Sequence, residues 1–431
     1  MIACIIISIC CFLLITLSII FFPKITIKNK TISLYWIIAL LGAILLLVLG
    51  IVPFKHVSTA LLNGSTINPI KILILFFSMT FLSIFLDELG LFKHLALVAL
   101  KRAKNKQISI FLAIYVFSSI VTIFTSNDIV ILTLTPFICM FCKAANMNPI
   151  PYLIGEFAAA NTYSMILIIG NPTNIYLATS ANITFLAYLK VMVLPTIVAG
   201  LIEFGLILLL FRKAFKVPIE KSDEEYNIDS KLDLTIGLIV LISCLVFLII
   251  SNYLNLGMWL IALIAAGLLI TYLIIKGIIK HDFKNFLNTL KRLPYQLIPF
   301  ILSMFVIVSS LEYHGFTKEL SNILSGRGYL FKVGISSYLA SNVINNIPMS
   351  MMYSLITANY SGVMYLKATY ASIIGSNIGA FLTPIGALAG IMFTDLINKY
   401  DVKFTFLTFI KYGFIISIVV LLASLTILWI V

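Results

Sequence analysis

Ser118-Ser119-Ile120-Val121-Thr122-Ile123-Phe124-Thr125-Ser126-Asn127-Asp128-Ile129-Val130 opens the stretch on which the fold turns, and Ala160-Asn161-Thr162-Tyr163-Ser164 and Gly170-Asn171-Pro172-Thr173-Asn174 complete it. Each apolar segment is interrupted by polar residues that hydrocarbon rejects. Inside a bilayer every backbone N–H and C=O needs a partner, so irregular backbone survives only against protein or a water-filled cavity. Pro172 removes a donor and disfavours helical geometry at Asn171, and Gly170 adds freedom beside it. Helix ends at mid-membrane depth, flanked by Ser, Thr and Asn, are what secondary transporters use to hold a solute. The pattern points to a membrane-embedded substrate site.

The rest of the chain agrees. Of 431 residues, 61% are hydrophobic and 10% charged, with mean hydropathy +1.12. Soluble domains carry about 25% charged residues, so an all-α polytopic membrane protein is expected. The formal charge of +13 sits in short Lys/Arg clusters between apolar runs, without an aromatic-interleaved basic face. That distribution signals topology and excludes nucleic acid as a partner. Cys4, Cys10, Cys11, Cys139, Cys142 and Cys244 all fall in apolar runs, and Cys139-x-x-Cys142 lacks a companion His or Cys pair. Packing is their expected role, and neither a metal centre nor a cofactor is indicated. No P-loop or dinucleotide fingerprint is present, so the chain hydrolyses no ATP by itself.

Lysine placement orients the chain. Ile2–Phe22 reads as a retained extra helix (region 1–31) with its N-terminus outside, and Lys24, Lys28 and Lys30 follow inside. Ile32–Val52 leads out to Asn63-Gly64-Ser65, and Ile70–Leu89 returns to Asp87-Glu88-Leu89-Gly90. Lys93, Lys101, Arg102, Lys104 and Lys106 mark the cytoplasm before the segment 107–145, and Lys143 marks it again at the far end. Both ends on one side make 107–145 an inner re-entrant hairpin; a single tilted span is the competing reading. A broken helix (150–180) crosses outward and Phe185–Phe211 returns, completing a first repeat over 32–212. Residues 213–232, with Glu220, Asp223, Glu224, Glu225 and Asp229, read as a solvated cytoplasmic linker.

Residues 233–431 repeat the pattern. Helices at Leu234–Ser251 and Met258–Ile275 precede a second basic cluster ending at Lys291 and Arg292, and Leu297–Leu311 ends at Glu312-Tyr313-His314-Gly315, opposite Asp87-Glu88-Leu89-Gly90. Ser336-Ser337 and Asn345-Asn346 fall 218 positions after Ser118-Ser119 and Asn127-Asp128 (346 − 128 = 218), in an outer hairpin at 333–358. Leu382-Thr383-Pro384-Ile385-Gly386, in a second broken helix at 367–397, falls opposite Gly170–Asn174 at an offset of 212. The linker helix inverts the second copy. The expected architecture is about eleven transmembrane helices plus two re-entrant hairpins in two inverted repeats, which places a transport site at their junction.

At these residues the sequence resembles the ion-transporter superfamily, most closely its arsenite-permease and sodium/proton-antiporter branch. The likeness lies in Leu86-Asp87-Glu88-Leu89-Gly90-Leu91-Phe92, Ser126-Asn127-Asp128 with Leu134-Thr135-Pro136, and Asn345-Asn346-Ile347-Pro348. Its longest part, Ile374-Gly375-Ser376-Asn377-Ile378-Gly379 through Leu382–Ala389, is similar to the C-terminal signature of bacterial arsenical pump membrane proteins. Citrate and dicarboxylate carriers of the superfamily carry Ser-Asn-Thr where this chain has Ser126-Asn127-Asp128, so Asp128 departs from the carboxylate pattern. Gly170-Asn171-Pro172-Thr173-Asn174, by contrast, resembles those carriers. The resemblance implies a scaffold with a mobile transport domain, homodimers, elevator-like alternating access, residence in the inner (plasma) membrane and, for arsenical pumps, a cytoplasmic ATPase partner.

The candidate substrate-binding residues are Ser126, Asn127, Asn161, Asn171, Thr173, Asn174, Asn345, Asn346, Asn377 and Thr383. They are uncharged donors and acceptors suited to hydroxyls, carbonyls or a partly dehydrated cation. A lone membrane Asn is often interhelical glue worth about 1 kcal/mol; clustering at the breaks favours a site. Gly170, Pro172, Pro384 and Gly386 make the breaks. Asp128 is the main ion-coupling candidate and Glu156 the next, since an intramembrane carboxylate is functional by default. The coupling cation is H+ or Na+, with Asn127, Asp128 and Asn345 the candidate sodium ligands. Glu203 and Asp395 stay ambiguous, Asp87, Glu88 and Glu312 read as helix-closing, and His314 ranks low as a relay. Without Lys or Arg in the core stretches, a neutral or cationic solute is expected. Arsenite or antimonite efflux against protons leads, and sodium/proton antiport or cation-coupled citrate or dicarboxylate transport follows. A channel or a membrane enzyme ranks below both.

Overall fold

The computed structural model describes residues 2–21, 25–27, 30–62, 68–95, 106–216, 230–251, 253–400 and 402–431. Of the segments read above, Lys24, Lys28, Asn63–Ser65, Lys101, Arg102, Lys104 and the acidic residues of the 213–232 linker lie outside them.

The described chain is helical apart from a small antiparallel pair, β1 (Ile25–Ile27) with β2 (Lys30–Ile32). The first half comprises α1 (Ile2–Phe21), α2 (Tyr35–Val48), α3 (Phe54–Leu62), α4 (Pro69–Glu88), α5 (Gln107–Phe124), α6 (Asn127–Ala144), α7 (Ile150–Tyr163), α8 (Pro172–Ser180) and α9 (Phe185–Leu210). The second comprises α10 (Lys231–Ile250), α11 (Met258–Lys280), α12 (Lys284–Arg292), α13 (Leu297–Tyr313), α14 (Phe316–Leu324), α15 (Tyr329–Ile344), α16 (Asn346–Thr357), α17 (Gly362–Gly379), α18 (Leu388–Lys399) and α19 (Phe406–Ile430). Among the described residues, seven helical segments are long and apolar enough to cross a membrane; α12 and α13 count together as one. Exposed Leu, Ile and Val side chains along α1, α10, α11 and α19 form an outer surface suited to lipid. α4 is apolar and buried around nearly its whole circumference, which places it at the centre.

Two tyrosines show how the polar interruptions fold back. An uninterrupted helix over the 36 residues of α5 and α6 would separate its ends by about 54 Å. Instead the Tyr152 hydroxyl donates to Gln107 Oε1 at 2.9 Å, at the start of α5, and lies 3.9 Å from Met147 Sδ, just past α6. Both ends of the first hairpin meet there. The second hairpin, α15–α16, is closed likewise: Tyr360, after α16, donates to the Ser321 carbonyl, before α15, at 2.8 Å.

Aromatic packing fixes the first hairpin against its neighbours. Phe111 of α5 stacks on Phe204 of α9 (5.7 Å between centroids) and meets Phe215 (4.9 Å) and Tyr152 (6.3 Å). α1 sits against α2 and α13 and also reaches the second hairpin, where the Thr16 hydroxyl donates to the Val343 carbonyl at 2.6 Å.

Candidate functional site

The first hairpin turns at Thr125-Ser126. Thr125 leaves the helical region (φ −122°, ψ −117°), and Ser126 caps α6 by accepting from Ile129 N at 3.4 Å. Asn127 and Asp128 therefore occupy the first turn of α6, where the helix dipole presents positive potential. Asn127 is buried; its Nδ2 donates to Asn161 Oδ1 at 3.0 Å, while its Oδ1 is buried without a partner. Asn161 in turn donates to the Phe157 carbonyl at 2.8 Å, and Thr122 of α5 donates to the Ala160 carbonyl at 3.0 Å. The tip is thus stitched to α7.

The first broken helix unwinds earlier than expected. α7 ends at Tyr163, a 3-10 turn covers Ile168–Gly170, and α8 begins at Pro172 with Asn171 as its cap. A Cβ on Gly170 would collide with the Ser164 carbonyl, so only glycine lets the unwound chain fold onto itself. Asn171 Oδ1 accepts from Thr173 N and Oγ1, both at 3.1 Å, and Asn174 Nδ2 donates to the Ser164 carbonyl at 2.8 Å. In the second broken helix the 3-10 turn covers Pro384–Gly386. Gly386 therefore stands opposite Gly170, 216 positions on (386 − 170 = 216), and Asn377 opposite Asn161 at the same interval (377 − 161 = 216). That differs from the offset of 212 suggested by aligning the prolines, because the glycine turn sets the geometry.

Asn377 is the hub where the two breaks meet. Its Oδ1 accepts from Asn171 Nδ2 (2.8 Å) and Ser164 Oγ (3.0 Å), and its Nδ2 donates to Asn174 Oδ1 (2.6 Å) and the Ile373 carbonyl (2.8 Å). All four groups are buried, so the residues called Asn161, Asn171, Thr173, Asn174 and Asn377 in the sequence form one connected region with Asn127. Asn345 does not bond to Asn127. It caps α16 with φ +68° and donates to the Ile385 carbonyl of the second break at 3.0 Å, and buried Asn346 follows it as the first residue of α16. Thr383 donates to Asn342 Oδ1 at 2.7 Å, and Asn342 Nδ2 reaches the Gly379 carbonyl at 2.9 Å.

A cavity of about 470 Å³ runs from the α12–α13 turn to the first hairpin tip, where Ser126 and half-buried Asp128 line its end. Tyr35, Thr80, Lys291, Arg292 and Asp395 line its sides and mouth. Arg292 donates to Asp87 Oδ2 and Glu88 Oε1, both at 2.6 Å, so these two carboxylates join α4 to α12. Glu156 is fully buried outside this cavity, against the Thr135 hydroxyl at 3.1 Å. Ser164, Asn342 and the Lys291–Arg292 pair were not singled out as site residues from sequence. Asn342, one turn before Asn345, carried a signal; Arg292 read only as a topology marker.

The family described as citrate transporter (CitMHS) matches residues 25–375, a span holding both hairpins and the first break. The chain belongs to this family. Among curated relatives, the arsenical pump membrane protein of Yersinia enterocolitica is 28% identical over 364 residues, covering 81% of this chain and 84% of the relative. That of Escherichia coli K12 is 27% identical over 404 residues, 90% and 91% of the two chains. The 46 kDa membrane protein of Mycobacterium leprae is 24% identical over 419 residues, 93% and 94%. The crystal structure of the YdaH transporter of Alcanivorax borkumensis has the same fold: TM-score 0.57 at 13% identity, covering 100% of this chain and 97% of that one. The chain is a multi-pass membrane transporter of small solutes.

Proposed function

We propose that this transporter exports arsenite or antimonite in exchange for protons, its two hairpins and broken helices moving as one body against a scaffold built around α4 and α13. The observation that carries the reading is the chemistry of the junction: six asparagines and their hydroxyl neighbours, with no cationic side chain among the described residues bonded to them. Arsenite in neutral water is mostly the uncharged trihydroxide, which needs hydrogen-bond donors and acceptors and no counter-charge. The likeness to arsenical pump membrane proteins supports the same solute. Asp128, at the cavity end, serves as the coupling group, because a carboxylate moving across hydrocarbon unneutralised is costly.

A cation-coupled carboxylate carrier is the second reading, favoured by Lys291 and Arg292 on the cavity wall and by the family match. In that case the unpartnered Asn127 Oδ1, beside Asp128, would supply an oxygen to a bound sodium ion. We further place the protein in the inner membrane as a homodimer with its N-terminus outside, able to work with a cytoplasmic ATPase partner.

The deciding experiment is transport into proteoliposomes with arsenite, citrate or sodium as the solute. Asp128→Asn should keep arsenite counterflow between equally loaded compartments and lose accumulation driven by a proton gradient. Accumulation of arsenite against its gradient by that variant would remove Asp128 as the coupling residue. Citrate counterflow in place of arsenite counterflow would select the second reading.

A further inference from the structure

Glu203 lies on α9, about 10 Å from its C-terminal end (seven residues at 1.5 Å each). Its side chain is fully buried, and its hydrogen-bond partners among the described residues are hydroxyls. Tyr115 of α5 donates to Oε1 at 2.9 Å, and Thr162 of α7 forms a short hydrogen bond to Oε2. The titratable group facing it from α5 is Tyr115, and from α7 it is Tyr163, whose ring lies 6.0 Å from that of Tyr115. α19, along the other side of α9, presents Tyr412 to Phe211 at the helix end. Gly200, one turn before Glu203, makes the space: a Cβ there would run into the Tyr163 hydroxyl end.

We propose that Glu203 is a proton-binding site, separate from the hairpin tips, that is loaded and emptied during the transport cycle. The inference rests on the proton-coupled reading above. The hydrogen-bond inventory fits a group that changes state. Tyr115 has one hydroxyl proton and several acceptors in reach: Glu203 Oε1, the Gly200 carbonyl at 2.7 Å and the Tyr163 hydroxyl. The Thr162 hydroxyl can donate to the carboxylate or accept from the acid. The carboxyl oxygens are therefore partnered in both states: without the proton both hydroxyls donate to Glu203, and with it the acid donates to Thr162 while Oε1 still accepts from Tyr115. A permanent structural carboxylate needs no such second arrangement. Nor do these contacts suit a metal ion: a hard cation such as calcium sits about 2.3–2.6 Å from each of six to eight oxygens. Oxygens already in hydrogen-bond contact leave room only for hydrogen.

The site is also wired to the solute region. Thr162 follows Asn161 on α7, so adjacent residues of one helix hold the first hairpin tip on one face and the Glu203 carboxyl on the next. A shift of Asn161 on solute binding moves Thr162 and changes which protonation state is better bonded.

The test separates this site from the solute assignment. Protein reconstituted in lipid is titrated by infrared difference spectroscopy, which needs no solute. The expected result is a carboxylic-acid carbonyl band that Glu203→Gln removes and Asp128→Asn leaves in place. A spectrum unchanged by Glu203→Gln, or a wild type with no such band, overturns the proposal. Tyr115→Phe guards against a folding defect in the first variant. Losing one donor to the carboxylate changes what the two protonation states are bonded to, so the pH midpoint of the band should move; an unmoved midpoint counts against the site. In proteoliposomes with arsenite as the probe, Glu203→Gln should retain counterflow while the pH profile of its rate loses the step that tracks the band. If wild-type vesicles carry no arsenite, the solute reading falls and the infrared result still decides this one.

Discussion

Replacing Asn377 should reverse the usual order of side-chain size effects. In an apolar core, leucine in place of a medium-sized residue is milder than alanine, because alanine leaves a cavity. Here Asn377 alone supplies the hydrogen bonds of Asn171 Nδ2 and Asn174 Oδ1, whereas Ser164 Oγ keeps its second bond to the Asn161 carbonyl at 2.7 Å. Asn377→Leu fills the space and strands two buried polar atoms, at about 1–3 kcal/mol each, or about 2–6 kcal/mol together. Asn377→Ala vacates room for a water able to bond both, since a polar site holding one water needs only two to four partners. Its cost should fall about 2 kcal/mol below that of the leucine variant. Thermal unfolding of the two variants in the same lipid nanodisc measures the difference. If leucine proves as stable as alanine, Asn377 is packed as an ordinary interior residue and the hub described above does not exist.

Asn127→Ala should abolish transport while leaving membrane expression intact, because its side-chain bond to Asn161 is replaceable for folding but its position at the tip is not; loss of folded protein would make it structural glue. Arg292→Met should lower stability by about 1–3 kcal/mol, since it unpairs buried Asp87, and Asp87→Asn on the same background should recover part of the loss in a thermal shift assay. Gly170→Ala should inactivate through its collision with the Ser164 carbonyl, whereas Gly205→Ala, with open space around its Cβ, should transport normally; equal activity of the two would refute the unwound geometry. Cysteines placed at residues 255 and 280 should be labelled from outside only at 255 in intact cells, and the opposite pattern would invert the topology.

The breaks were legible because they violate a local rule. Pro172, Gly170 and the run Ser126-Asn127-Asp128 stand out against hydrocarbon composition without any knowledge of neighbours. The partners were less so, because nothing local tells Asn377 that it will meet Asn171, 206 positions away. Proline also misled the register: Pro172 starts α8, whereas Pro384 starts a 3-10 turn, so aligning them shifts the breaks. Arg292 illustrates the opposite limit. Its charge was visible, but a basic residue at a helix end has a sufficient explanation in topology, and its grip on Asp87 and Glu88 joins segments 204 and 205 positions apart.

The bond from Thr16 to the Val343 carbonyl gives the two hairpins different mechanical circumstances. Val343 lies in the last turn of α15, whose terminal carbonyls have no partner within the helix. A hydroxyl from α1 supplies one, from a segment that precedes both hairpins. On the alternating-access mechanism proposed above, two like hairpins would leave inward and outward states near balance; a strap on one of them would tip that balance and give the carrier a resting side. Shortening the chain at its N-terminus would then change which way the unloaded carrier faces without altering a single residue that touches solute.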